Sequence, residues 1–329
     1  DVLAVHDEMR AFLDMYVDGR SRDIFKLQQL TYAIINEGTF GLEYADTTRT
    51  ASETFDLRNG NCLSFSNMFV ALAREVGLDV SYQEVDIPPD WTYRNDAFVL
   101  NRHVNVYVDL GTAGEHVVDF NIDDFKTTYD RQTISDTRAL AHYYNNVGVE
   151  HMQAGQTAKA LAYYRRAIAD NDRQFAPAWA NLGMLYLKGG HLEYAEASFL
   201  QALQVNPKHS VAMSNLAGLY EAMGDSEQAQ VYRKRVERHR KMNPYYRYGL
   251  AREAFLAQDF DVAIDHLKYA IRKREREDQV LVLMGLCYLQ QGNQAAARKW
   301  LERAERVAAT DSLKRNYSSK MEMLLSSPK

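Results

Sequence analysis

The sequence predicts two architectures in one chain, an α+β domain over residues 1–135 and then an all-α solenoid of stacked helix pairs. Three observations predict it. At 329 residues the chain exceeds what one ordinary hydrophobic core organises. From residue 141 onward, small and large apolar residues recur with a period of about 34 residues. Before that point the period is absent, and the hydrophobic pattern alternates between helical and strand spacing.

Taken in order, helical patterning covers Val2 to Tyr16, Ile24 to Ile35, and Cys62 to Val76, the last stopping at Gly77. In that third helix Phe65, Phe69, Leu72, Ala73 and Val76 form the expected buried stripe. Strands are predicted at Val80–Val85, His103–Leu110 and His116–Phe120, the last two joined by a glycine-containing turn. The clearest repeat runs from Ala176 to His209, with Trp179, Leu182, Gly183, Tyr186, Gly190, Ala195, Phe199, Ala202 and Pro207. Small residues let two helices approach, and large ones fill the gaps between stacked pairs. These positions resemble the tetratricopeptide repeat (TPR) pattern, and the same period gives about five repeats over 136–311: 141–174, 176–209, 210–243, 244–277 and 278–311. The third and fourth are degenerate: Arg233 and Val236 replace an expected aromatic and Ala, and no glycine marks the turn near Asp259. Residues 312–329 are expected to form a polar capping helix.

Composition narrows the function classes. The hydrophobic fraction of 46% and charged fraction of 25% are those of a folded, non-membrane chain, and no apolar run approaches the roughly 20 residues that span a bilayer. The net charge of -5 gives no overall attraction to nucleic acid; the local basic run Arg233, Lys234, Arg235, Arg238, Arg240 and Lys241 reads as a solvated helix face. Two cysteines are too few for a disulfide framework. The chain begins at Asp1 rather than Met, so an upstream segment is expected to have been removed, with a signal peptide as one form of it.

The chemistry concentrates around Cys62. In RNGNCLSFSNMFVALAREVGL this residue falls in the first turn of a helix, where unpaired N–H groups and the helix dipole favour a thiolate. It lies one turn before Phe65 on the same face, which aims its sulfur toward the sheet. In HVNVYVDL, His103, Asn105 and Tyr107 share one strand face and Val104, Val106 and Val108 the other. Asp119 falls on the face away from Val118 and Phe120, so a hairpin register brings its carboxylate beside the imidazole. His116 falls on the Val118 face and reads as structural, and Cys287, inside a repeat helix, as core. A metal site from His103, His116, Asp119, Asp123 and Asp124 has no recognised ligand spacing, so no metal is expected.

The segments TASETFDLRNGNC, AREVGLDV, RHVNVYVDL and VVDFN, in that order, resemble the transglutaminase-like superfamily, a papain-like cysteine fold, over residues 25–125. The resemblance implies Cys62 as nucleophile, His103 as base and Asp119 as orienting acid, working through a thioester without a cofactor. It departs at Val104, where the family often has an aromatic, and no side-chain oxyanion donor is evident; the Cys62 backbone N–H is the default one. The implied function is a cysteine amidase or protease acting on a protein or peptide, or an acyltransferase crosslinking by transamidation. The alternative is a catalytically silent transglutaminase-like/TPR scaffold. The repeats are expected to recruit substrate or a protein partner through a concave groove. Its candidate positions start with His142 and Asn145, continue at Ala180, Met184 and Leu187, and reach Tyr245, Tyr248, Arg252 and Phe255. The combination resembles bacterial transglutaminase–TPR proteins, many of them envelope-associated, which implies an envelope or periplasmic location with the cytoplasm as the alternative.

Overall fold

A computed structural model describes residues 1–35, 40–85, 103–120, 130–308 and 314. The described residues fall into two compact units, 1–232 and 233 onward.

The first unit opens with α1 (Asp7–Tyr16) and α2 (Asp23–Ile35), followed by α3 (Ala51–Leu57) and α4 (Cys62–Glu75). The start of α1 is five residues later than its apolar pattern predicts. Val2 is instead buried in a turn ahead of the helix, and its carbonyl accepts the Ala51 N–H at 2.8 Å. The short helix α3 was not anticipated, although its start is written as Thr50-Ala51-Ser52-Glu53: Thr50 caps the Glu53 N–H, and the Glu53 carboxylate receives the Thr50 N–H. Helix α4 is more deeply placed than one apolar stripe implies, because every residue from Leu63 to Ala73 is buried. Its polar members are satisfied: Ser66 Oγ donates to carbonyls of Cys62 and Val104, and Asn67 Oδ1 receives the Tyr82 hydroxyl at 2.9 Å.

Against α4 lies an antiparallel sheet in the order β5-β4-β3-β6, with β3 (Val80–Val85), β4 (His103–Asp109), β5 (Glu115–Val118) and β6 (Arg131–Ile134). Strand β6 pairs with β3 and had no clear signal, since its residues are half-buried or exposed. A two-residue parallel pair, β1 (Glu43–Tyr44) with β2 (Asn59–Gly60), stands just ahead of α4. Val80, Tyr82, Val104, Val106, Val108 and Val118 join Phe65, Met68, Phe69 and Leu72 in the core.

The same unit continues through α5 (Asp136–Gln153), α6 (Thr157–Arg165) with a π-helical turn over Arg166–Asn171, α7 (Ala176–Lys188), α8 (Leu192–Val205), α9 (Ser210–Ala222) and α10 (Ser226–Met242) as far as Tyr232. A Cβ on Gly183 would stand 2.7 Å from the Phe199 ring, so the small residue is what lets α7 and α8 meet; Gly148 and Tyr164 repeat the contact between α5 and α6. In the third pair the buried aromatic is Tyr232, one residue before the position that Arg233 occupies, and it stacks on Tyr220 with centroids 5.7 Å apart. Helix α5 is tied to the sheet. Glu84 of β3 accepts from His142 at 2.6 Å and from Arg138 at 2.8 Å, and Arg138 also reaches Asp172.

The second unit holds the rest of α10 with α11 (Pro244–Leu256), α12 (Phe260–Lys273), α13 (Asp278–Gln290) and α14 (Gln294–Val307). Its core gathers Ala251, Ile264, Leu267, Leu281, Met284 and Cys287. The capping helix expected over 312–329 lies outside the described residues, Lys314 apart.

Candidate active site around Cys62

The site is assembled by the start of α4 and one end of β4. Asn61 caps α4, accepting the Ser64 N–H at 3.0 Å, and its Nδ2 donates to Thr48 at 2.8 Å. Cys62 is thereby the first helical residue, half-buried, with no acidic side chain in its turn. Gly60 is required by packing: a Cβ there would stand 2.5 Å from the Ser64 Cβ. The strand pair ahead of it, with Glu43 N–H on the Arg58 carbonyl at 2.9 Å and Ala45 N–H on that of Gly60 at 3.0 Å, holds the loop that delivers the cysteine. Ser66 then bridges α4 to β4 one residue past His103.

His103 and Asn105 share a strand face, and Asp119 follows directly on β5, whose Val118 pairs with Val106. His103 Nε2 lies 2.6 Å from Asp119 Oδ2, and Asn105 Nδ2 donates to the same oxygen at 3.0 Å. The Cys62 thiol lies close enough to the imidazole to act on it electrostatically. With Nε2 engaged by Asp119, Nδ1 is the nitrogen left to face sulfur. Burial pushes the imidazole down, but the Asp119 hydrogen bond, then Cys62, with their charges, outweigh it and hold His103 at about 9. The imidazole is one-tenth exposed and the carboxylate less so. The three residues singled out from the sequence are therefore neighbours here, joined in the order Cys62, His103, Asp119.

Other expectations are distributed differently. His116 pairs with Val108 in register, away from His103. Among the described residues no cluster of three or more His, Cys, Asp or Glu could hold a metal ion; Asp123 and Asp124 lie outside them. Cys287 is fully buried and burial pushes its thiol up to about 11. Two residues at the site went unassigned from the sequence. Asn105 had been placed on the His103 face without a role. Tyr44 neighbours the cysteine closely enough to feel its charge and stacks on Phe120 at 6.5 Å. Only pairing of β1 with β2 brings Tyr44 there, and two-residue strands leave no periodic signal.

In the repeats Met184 and Leu187 are half-buried, Arg252 is exposed, and Tyr248 and Phe255 pack partly buried against the core of the second unit. The Tyr245 hydroxyl donates to Glu277 at 3.0 Å. His142 and Asn145 are buried, the first on Glu84 and the second accepting from Asn181 at 2.8 Å. No helix among the described residues is long and apolar enough to cross a membrane.

A family model described as "Transglutaminase-like superfamily" matches residues 10–115, and tetratricopeptide-repeat models match 141–169, 176–209, 198–231 and 248–312. Among curated proteins the chain is similar to anaphase-promoting complex subunit 3 of Schizosaccharomyces pombe, 29% identical over 47% of this chain and 23% of that protein. It is also similar to the uncharacterized protein ycf37 of Pyropia yezoensis, 39% identical over 22% of this chain and 40% of that one. The chain thus spans less than half the length of either relative. Similar solved structures include a MamA protein, 23% identical, covering 53% of this chain and 95% of that one with a TM-score of 0.27. Another is YrrB, described as a TPR protein with an unusual peptide-binding site, 17% identical, covering 54% and 92% with a TM-score of 0.29. The chain carries a transglutaminase-like superfamily domain over residues 10–115 followed by tetratricopeptide repeats between residues 141 and 312, a combination that points to a role in protein interaction.

Proposed function

We propose that the chain is a transglutaminase-like cysteine amidase or protease, with Cys62, His103 and Asp119 as its catalytic residues and the repeats recruiting a protein substrate or partner. The observation that carries the reading is the His103–Asp119 hydrogen bond with the Cys62 thiol beside the same imidazole, at the N-terminus of a buried helix. His103 accepts the proton of Cys62, so that the sulfur is the attacking group. Sulfur attacks the amide carbonyl carbon, forming a C–S bond, and the oxyanion is received by the Cys62 backbone N–H. His103 gives its proton to the leaving nitrogen as the C–N bond breaks, leaving a thioester. His103 then takes a proton from water as the oxygen attacks; the C–S bond breaks, the acid leaves, and the pair is restored. An amine in place of water gives transamidation by the same steps. Asp119 remains ionised throughout and orients the ring.

In the repeats, Met184 and Leu187 of the first unit, and separately Tyr245 and Arg252 of the second, are positions proposed to meet a partner, while the packing of Tyr248 and Phe255 commits much of those side chains to the fold.

The test needs no knowledge of the substrate. Iodoacetamide at neutral pH should alkylate Cys62 at least about 100-fold faster than Cys287, because a buried protonated thiol is inert. Comparable rates for the two cysteines would sink the catalytic assignment in favour of a silent scaffold. Given a reactive Cys62, incorporation of a labelled amine into acceptor protein, against release of free acid, separates transamidation from hydrolysis.

A further inference from the structure

Asp119 receives two hydrogen bonds at one oxygen, and the second comes from a residue outside the Cys62–His103–Asp119 chain. Asn105 is 1% exposed, two residues beyond His103 on the same strand face, and flanked by buried Val104 and Val106. An apolar side chain would occupy such a position without leaving any polar atom to satisfy. The amide present instead has a buried Oδ1 with no hydrogen-bond partner. Gln83, its register partner on β3, likewise has a buried, unpartnered Oε1. A carboxylate only accepts hydrogen bonds, so Asp119 can be met only by the NH2 end of the Asn105 amide. That requirement turns the carbonyl end to where it has no partner, and a buried polar group left so calls for an explanation.

We propose that Asn105 is a positioning residue for the Cys62–His103–Asp119 site: its side-chain amide keeps Asp119 ionised and fixed against the imidazole. The inference rests on the catalytic reading above. A donor to the charged form lowers a carboxylate's proton affinity, which opposes the burial that would otherwise raise it. An ionised Asp119 can then hold His103 protonated to higher pH than the imidazole alone would allow. Among the described residues, the titratable groups facing this arrangement include His103 on β4, Cys62 on α4, and Tyr44 with Asp46 beyond. Tyr107, further along the same face of β4, is engaged by Glu115 of β5. On β3 the charged Glu84 belongs to the opposite face and is matched by Arg138 and His142.

The experiment is the pH titration of the His103 ring, followed by NMR in the full chain, for wild type, Asn105→Leu and Asn105→Asp, with melting temperature measured alongside. Leu keeps the volume and removes the donor that fixes Asp119, so the His103 midpoint should fall by about 0.5–1 pH unit. Asp keeps the shape but adds a second carboxylate near the imidazolium, so the midpoint should move the other way, up by more than about 0.5 unit. A purely structural residue would lower the melting temperature and leave the midpoint in place. His103 titrations of both variants superimposable on the wild type overturn the inference while leaving the catalytic reading intact. Should the Leu variant not fold, the isosteric Asp variant decides alone. A wild-type Cys62 alkylated by iodoacetamide no faster than Cys287 overturns both.

Discussion

At the scale of single residues, the site turns on how a buried imidazole keeps its proton. Burial alone would strip it, yet the Asp119 contact and the Cys62 thiol raise His103 to about 9, so the imidazolium is present through neutral pH and lost as pH rises through that value. Under the proposed mechanism, the proton delivered to the leaving amine sets an alkaline limb near 9. Asp119→Asn removes the strongest raising interaction: the limb of kcat/KM should fall toward the ordinary histidine value of about 6.5. The rate should drop by roughly 10³-fold or more as the ring loses its orientation. A variant whose limb and rate match the wild type would remove Asp119 from the mechanism. A second residue-scale effect sits in the repeats. Helix-pair turns elsewhere place glycine at positive φ, as at Gly155, Gly190, Gly224 and Gly292, whereas the fourth pair has Gln258 at φ 63°. The turn is made without the residue that suits it. Gln258→Gly should stabilise the chain by about 0.5 kcal/mol, the relief of left-handed strain of about 1 kcal/mol being partly offset by glycine's greater freedom when unfolded. Thermal denaturation would detect it, and a lower melting temperature would contradict it.

Among elements, α11 tests the difference between a binding face and a packing face. Its aromatic spacing was read as a groove, yet Tyr248 and Phe255 lean on the core of the second unit, and Phe255 meets Phe260 edge-on at 5.6 Å. Phe255→Ala is thus expected to cost about 2 kcal/mol of stability, below the full-burial range because the ring is only partly covered. Denaturant unfolding that shows a loss under about 0.5 kcal/mol, with weakened partner binding, would restore the groove assignment. Helix α4 makes the complementary point. Its run of buried residues means that the proposed nucleophile is anchored by nearly the whole helix, so Cys62 inherits the rigidity of the core rather than of a loop.

For the molecule as a whole, the informative feature is where the chain divides. Residues up to Tyr232 form one compact unit, so the first repeats fold with the sheet. The joint is a buried charge cluster. Burial pushes Glu84 up, but His142 and Arg138 outweigh it and hold the carboxyl at about 2. Because the folded value lies below the unfolded one of about 4.5, the cluster's stabilisation is complete above about 4.5 and lost as pH falls through about 2. Glu84→Gln should lower stability at neutral pH and flatten its dependence across that interval, read by chemical denaturation at stepped pH. An unchanged acid slope would show that other carboxylates govern acid unfolding. Thr48 N–H on Glu150 at 2.7 Å adds a second tie between the first repeat and the loop that leads to Cys62.

What the sequence determined by itself was whatever repeats or keeps a fixed offset. The spacing of Gly183, Ala195 and Phe199 dictates a helix pair, because one residue's absence of a side chain is filled by another's ring. The alternation around His103 assigns its face, because strand side chains alternate with period two. The approach of His103 to Asp119 follows from the same alternation. Tertiary structure alone decided the contacts between segments with no shared pattern: Tyr44 brought beside Cys62 by a two-residue strand, Asn105 turned onto Asp119, and the Glu84 cluster joining sheet to repeat. These are pairings of single side chains across long stretches of chain. Their existence depends on register and docking, which local propensity does not encode.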